Sequence, residues 1–194
     1  MTENWFIARV RNFGPIEWFT LVLSIVGYVQ YLAFVQSESA FVFPAGLEFT
    51  DPLGVEKTQP ILLDIDIANS GKSAATITEF VAFVAHELPE RPNYEQTGLN
   101  QVRTGIAPVP AAGKIRQSLR FSDWGQETML AVKLGTIGFY LWGELTYKDE
   151  ARHFTEAISD FCFAYFANKQ NADKSVFRTC SNVNFTRTRT RLVW

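Results

Sequence analysis

Between Trp18 and Val35 the chain runs for eighteen residues without a charge, and ten of them are Leu, Ile, Val or Phe. As a helix this stretch is about 27 Å long, close to the thickness of a bilayer's hydrocarbon core. Trp18 stands at one end, with Tyr28 and Tyr31 toward the other, as aromatic belts do. Thr20, Ser24 and Gln30 oppose insertion, while each apolar residue favours it by about 0.3–0.6 kcal/mol. The expectation is a transmembrane helix over residues 16–36. It is preceded by an interfacial segment, 1–15, carrying Trp5-Phe6-Ile7, and followed by a domain over 37–194. One rival is a signal peptide: the run is long for that, and no Ala-x-Ala-like site follows promptly, so cleavage would have to fall within Gln36-Ser37-Glu38-Ser39-Ala40. The other is a core helix, which would need cover on every side because the run has no charged face.

Flanking charge sets the expected orientation. Arg9 and Arg11 precede the run, whereas Glu38, Glu48, Asp51 and Glu56 follow it before the first cation, Lys57. The positive-inside bias puts the N-terminus in the cytoplasm and the following domain outside. Within the helix, Thr20, Ser24, Gly27 and Tyr31 recur at spacings of four, three and four, with Gln30 beside them. Such a stripe of small and hydroxyl residues is where membrane helices approach one another, so lipid and another transmembrane protein, or a second copy, are the expected partners.

The remaining residues, roughly 150, amount to one ordinary domain. Aromatics make up 14% of the chain, with 17 Phe, which argues for a packed core. A net charge of −2 provides no basic field, so nucleic acid is not an expected partner. Short apolar runs between turn signals read as strands. Ala40–Phe49 is the first, with Pro44 forcing an edge position or a bulge. In 60–68 Leu63, Ile65 and Ile67 alternate with Asp64 and Asp66; Asn69–Ser73 is a turn, 75–87 a long strand and 114–121 another alternating strand. Residues 88–112 hold four prolines and read as a long loop. Ser122-Asp123 offers an N-cap and Gly135 a C-terminal stop for a short helix near 124–134. Residues 139–148 and 152–166 should form a central hairpin; 176–184 is a last strand candidate, and the Thr/Arg alternation of the tail suits an exposed edge. The expected fold is mainly β, an immunoglobulin-like β-sandwich behind one transmembrane helix.

Candidate chemistry is sparse. Cys162 and Cys180 could bridge in an oxidising compartment, but two buried thiols are the plainer reading. His86 and His153 are far apart and no zinc-type spacing exists, so no metal or cofactor is expected. Ser70-Gly71-Lys72-Ser73 resembles the end of a phosphate loop, but position 66 is Asp where a Gly is required and a strand follows. Asp64 and Asp66 share a strand face, which suits a cation or acid–base pair, though a solvated face accounts for them. His153 with Asp149, Glu150 and Glu156 brackets a turn. Arg187, Arg189 and Arg191 would line one face of an edge strand, fit for an anionic partner or simply for protecting the edge.

Four pieces of the sequence resemble a large group of uncharacterised bacterial proteins with an N-terminal membrane helix and a β-sandwich domain. These are AFVFPAGLEF; the turn with Asn69, Gly71, Ala74 and Ala75; the short helix ending in Gly135; and a hairpin with Gly143, Tyr147, Asp149, Thr155 and Cys162. The chain departs from the pattern in lacking a Pro in the Asn-Gly turn and in having Glu150-Ala151 where a Phe-Gly turn is common. The resemblance implies a fold and an anchor, here a bacterial inner-membrane protein with a periplasmic β domain, and no activity. The functional expectation is an anchored interaction module or accessory subunit and not an enzyme. The alternatives are a ligand- or glycan-binding envelope module, with 88–112 over a pocket, and a hydrolase.

Overall fold

In a computed structural model the chain divides into two compact units, residues 1–38 and 39–194. The structure describes residues 14–50, 60–90, 93–94, 101–105, 107–122, 124–152, 155–168, 176–181 and 188–192. Trp5-Phe6-Ile7, His153 and Arg187 lie outside them.

The first unit contains one helix, α1 (Pro15–Glu38). Proline at the first helical position costs no hydrogen bond, since that N–H has no partner within the helix. Glu17 accepts the Gly14 N–H at 2.7 Å, satisfying a second orphan donor. The helix reaches a mean hydropathy of 1.7 over Pro15–Val35 and none of that surface is buried by the chain, so a helix long and apolar enough to cross a membrane is present. Among the described residues the core-helix alternative is thereby corrected: no protein covers it.

The second unit is mainly β, built from two antiparallel sheets around one hydrophobic core. The smaller sheet has the order β1 (Val42–Phe49), β2 (Ile61–Asn69), β6 (Lys114–Phe121). Its inward side chains, Val42, Leu63, Ile65, Ile67 and Leu119, are fully buried, and its outward ones mix polar residues such as Asp64, Asp66, Arg116 and Ser118 with apolar Phe43, Leu62 and Ala68. Pro44 stands where the reading of the sequence put it: β1 is an edge strand, and its register slips between Pro44 and Gly46.

The larger sheet has seven strands. The hairpin of β7 (Tyr140–Asp149) and β8 (Thr155–Phe166) is central, with β3 (Ala75–Ala85) on the far side of β7. The outer edge of β3 pairs with two short strands, β4 (Gln101–Thr104) and β5 (Ala107–Val109). Residues 88–112 are therefore not wholly loop: two short runs within them, one including Pro108, find ladder partners on β3. The outer edge of β8 pairs with β9 (Val176–Thr179) and β10 (Thr188–Leu192). The last strand candidate is thus shorter than 176–184.

The short helix, α2 (Gln126–Lys133), sits between β6 and β7. Its N-cap is Gly125, at φ 78, and no side chain caps it, so the Ser122-Asp123 expectation is corrected; Asp123 lies outside the described residues. Its end follows the expectation for Gly135, which lies at φ 68. The Gly135 and Thr136 N–H groups return to the Val132 and Ala131 carbonyls, the pairing that a glycine in the left-handed region allows.

The two ends of the β domain are built differently. Where β1 begins and β2 and β7 end, polar side chains bind backbone. Where β1 ends and β7 begins, Phe49, Phe139, Tyr165 and Phe177 pack ring against ring at 5.1–5.9 Å, with Trp124 5.0 Å from Phe139.

Candidate functional site

On α1 the Thr20 and Ser24 hydroxyls donate to the Ile16 and Thr20 carbonyls, each at 2.9 Å, which satisfies them without water. A Cβ added at Gly27 would meet nothing within 4 Å. Nothing among the described residues therefore requires the small residue at that point of the stripe. Tyr31 and Gln30 lie on the same exposed helix.

The chain leaving α1 enters a hydrogen-bonded clasp that grips two successive backbone N–H groups and sets a third residue's backbone against a buried phenol. The Ala40 N–H donates to Asp149 Oδ2 at 2.9 Å. The Phe41 N–H donates to Asn69 Oδ1 at 3.1 Å. The Val42 backbone bonds the Tyr147 hydroxyl; burial pushes that phenol's pKa up, and the Val42 bond pulls against it. Asn69 closes the smaller sheet, and Tyr147 and Asp149 close β7 of the larger one, so the segment is tied to both.

Asn69 and Asp149 each hold several partners. Asn69 Oδ1 also accepts the Gly71 N–H, and its Nδ2 donates to the Ser73 and Pro110 carbonyls at 2.8 and 3.2 Å. That uses both acceptor and both donor positions of the amide. Asp149 Oδ1 accepts the Ser73 hydroxyl at 2.5 Å and the Ala151 N–H at 2.9 Å. A Cβ on Gly71 would overlap the Ser39 carbonyl and the Ala40 Cα. The Ser70-Gly71-Lys72-Ser73 stretch is thus a turn shaped around residues 39–41, and a strand follows it. Sequence reading singled out Asn69, Gly71, Tyr147 and Asp149 as two separate turn motifs; it missed that they meet, because the only signal was their polarity beside tight turns.

Cys162 and Cys180 are bonded to each other, with Cα atoms 5.4 Å apart. The two-thiol reading is corrected for a reason of topology. β9 folds back along β8, so the Cys180 N–H reaches the Cys162 carbonyl at 3.0 Å. The bridge joins neighbouring strands on the outer face of the larger sheet, beside Val81, Phe83 and Trp142, and Phe83 stacks on Trp142 at 4.4 Å.

The other candidates separate. Asp66 is held by Arg116, whose Nε lies 2.8 Å away, and that hydrogen bond draws the carboxyl below its ordinary range. Arg116 also meets Glu48 at 2.5 Å, while Asp64 accepts the Ser118 hydroxyl at 2.6 Å. The two aspartates therefore belong to a solvated cross-strand charge ladder. His86 packs its ring 4.1 Å from Trp124, far in the fold from Asp149 and Glu150. Register places Arg191 opposite Glu156 and Arg189 opposite Ile158. Among the described residues no cluster of His, Cys, Asp and Glu could hold a metal ion. A shallow depression of about 460 Å³ opens where β3 bulges, lined by Thr78, Glu79, Arg103, Thr104, Thr146 and Glu156. Arg103 meets Glu79 at 3.4 Å and Lys148 meets Glu156 at 3.8 Å.

No protein-family model and no curated protein matches the sequence.

Proposed function

We propose that the chain is a single-pass membrane-anchored interaction module, an accessory or structural subunit of a bacterial envelope complex, and not an enzyme. The observation that carries this reading is α1: a 24-residue apolar helix that the chain leaves bare, followed one residue later by the clasped segment. The stripe of Thr20, Ser24, Gly27, Gln30 and Tyr31 docks another transmembrane helix, or a second copy. The small residue at 27, which the packing of the described residues does not need, supports this. We further propose that the N-terminus is cytoplasmic and the β domain periplasmic. The Cys162–Cys180 bridge favours the oxidising side, in agreement with the flanking charges. The immunoglobulin-like character of the two-sheet domain, and membership in the anchored bacterial group, belong to the same proposal.

Extraction in mild detergent followed by identification of co-purifying proteins tests it. A partner should come along in defined stoichiometry, and Gly27→Ile should lose it while leaving the chain in the membrane. Unchanged recovery of the partner would remove the stripe from the account.

A second reading has one observation in its favour. The depression at the β3 bulge is walled partly by Arg103 and Thr104 of the 88–112 segment, as expected of a ligand-binding module. A small polar molecule carried through purification, and lost in Arg103→Ala, would favour that reading.

A further inference from the structure

We propose that the Ser39–Ala40 peptide bond is a processing site, and that the clasp seats the α-ammonium group which hydrolysis there leaves on Ala40. The proposal takes α1 as the membrane-inserted segment, so it rests on the anchored reading for its starting state; the β domain then exists in an anchored and a released form.

The sequence makes the bond eligible. A polar stretch, Gln36–Ser39, follows the apolar run; it has serines where Ala-x-Ala has alanines, and Ser37 and Ser39 put small residues third and first before the cut, the two places a membrane signal-type peptidase reads. The bond also lies beyond the helix, which ends at Glu38.

The structure singles out this bond over its neighbours. The Ala40 nitrogen is the atom that Asp149 Oδ2 holds at 2.9 Å. Asp149 is 5% exposed, and the other groups that donate to it, the Ser73 hydroxyl and the Ala151 N–H, are neutral. An ammonium in place of the Ala40 amide gives that carboxylate a charge-assisted bond, roughly twice as strong as a neutral one. A cut one residue earlier would put the new charge about 3.8 Å along the chain from this seat. A cut one residue later would remove the residue that Asp149 grips. Phe41 and Val42 keep their own ties to Asn69 and Tyr147, so the domain loses no clasp contact on its side.

Hydrolysis adds water across the bond between the Ser39 carbonyl carbon and the Ala40 nitrogen. The Ser39 carboxylate leaves with the helix, and the Ala40 amine takes a proton and stays with the domain. In the closed clasp Ala40 is buried and the Ser39 carbonyl abuts Gly71, so the cut precedes closure, as the chain emerges.

The test expresses the full chain in a bacterium with an intact envelope and measures intact masses in the membrane and soluble fractions. The expected result is a soluble species lacking residues 1–39, which Ser39→Leu and, separately, Ser37→Leu abolish. Ser37 lies outside the β domain, so its variant stays informative if Ser39→Leu disturbs the clasp. Asp149→Asn should lower the melting temperature of the released form more than that of the full chain. Full-length protein confined to membranes, or a soluble species starting at another residue, overturns the processing proposal and leaves the anchor standing. Soluble protein with Met1 intact and no detergent requirement overturns the anchored reading as well.

Discussion

The two ends of the β domain hold together by different physics. At the clasp, Asn69 and Asp149 satisfy named backbone N–H groups, the Tyr147 phenol meets the Val42 backbone, and Gly71 leaves room for the chain they bind. At the far end, aromatic rings pack without directional bonds, and Leu134, Phe166 and Val176 remain exposed beside them. Polar bonds in a buried site are intolerant: removing one partner strands the other at the full cost of desolvation. Ring packing is tolerant, since another apolar residue of similar volume restores most of it. The end that receives the chain from α1 should therefore tolerate substitution poorly, and the opposite end should tolerate it well.

Replacing Asp149 with Ala should break this comparison most severely. It strands the buried Ala40 N–H and two further donors, and unfolding by denaturant should show a loss of about 4 kcal/mol. Next comes the bridge. The double variant Cys162→Ser/Cys180→Ser opens a loop of 18 residues, for which loop-closure entropy gives about 3 kcal/mol; the same loss should appear on adding a thiol reductant to the unfolding buffer. One change at each end sharpens the contrast. Asn69→Asp keeps the shape but loses both amide donors and should cost about 2–3 kcal/mol, whereas Phe139→Leu at the far end should cost less than about 1.5 kcal/mol. Equal costs would dissolve the distinction between the ends.

The smallest effect concerns acid. The Arg116 hydrogen bond lowers the Asp66 pKa in the folded state, so its contribution is fully present above about pH 4 and is lost as pH falls through the lower folded value. Both side chains face solvent, which screens the pair. Asp66→Asn should lower stability by a small, constant amount above about pH 4, with the difference from the parent chain fading as pH falls below it.

Much of the frame was legible because local chemistry decides it. Leu63, Ile65 and Ile67 alternate with aspartates, and all three point into the core. Pro44 marks an edge, and Gly135 ends a helix. The Trp18–Val35 run needs no context to be apolar. What could not be read depends on long-range pairing. β4 and β5 are three or four residues each and exist only because β3 offers an edge. The bridge depends on β9 folding back on β8. In the clasp, Ala40 meets a residue 109 positions away, and no local pattern encodes that meeting. The stripe on α1 was visible at once, and its meaning still depends on a partner outside the chain.

Amide hydrogen exchange at Ala40 and Phe41 in the intact, detergent-solubilised protein tests the clasp most directly. The structure predicts that both amides exchange as slowly as those of Ile65 and Leu145 in the core strands, and that Asp149→Asn selectively speeds Ala40. Exchange at Ala40 and Phe41 as fast as at an exposed loop would contradict it.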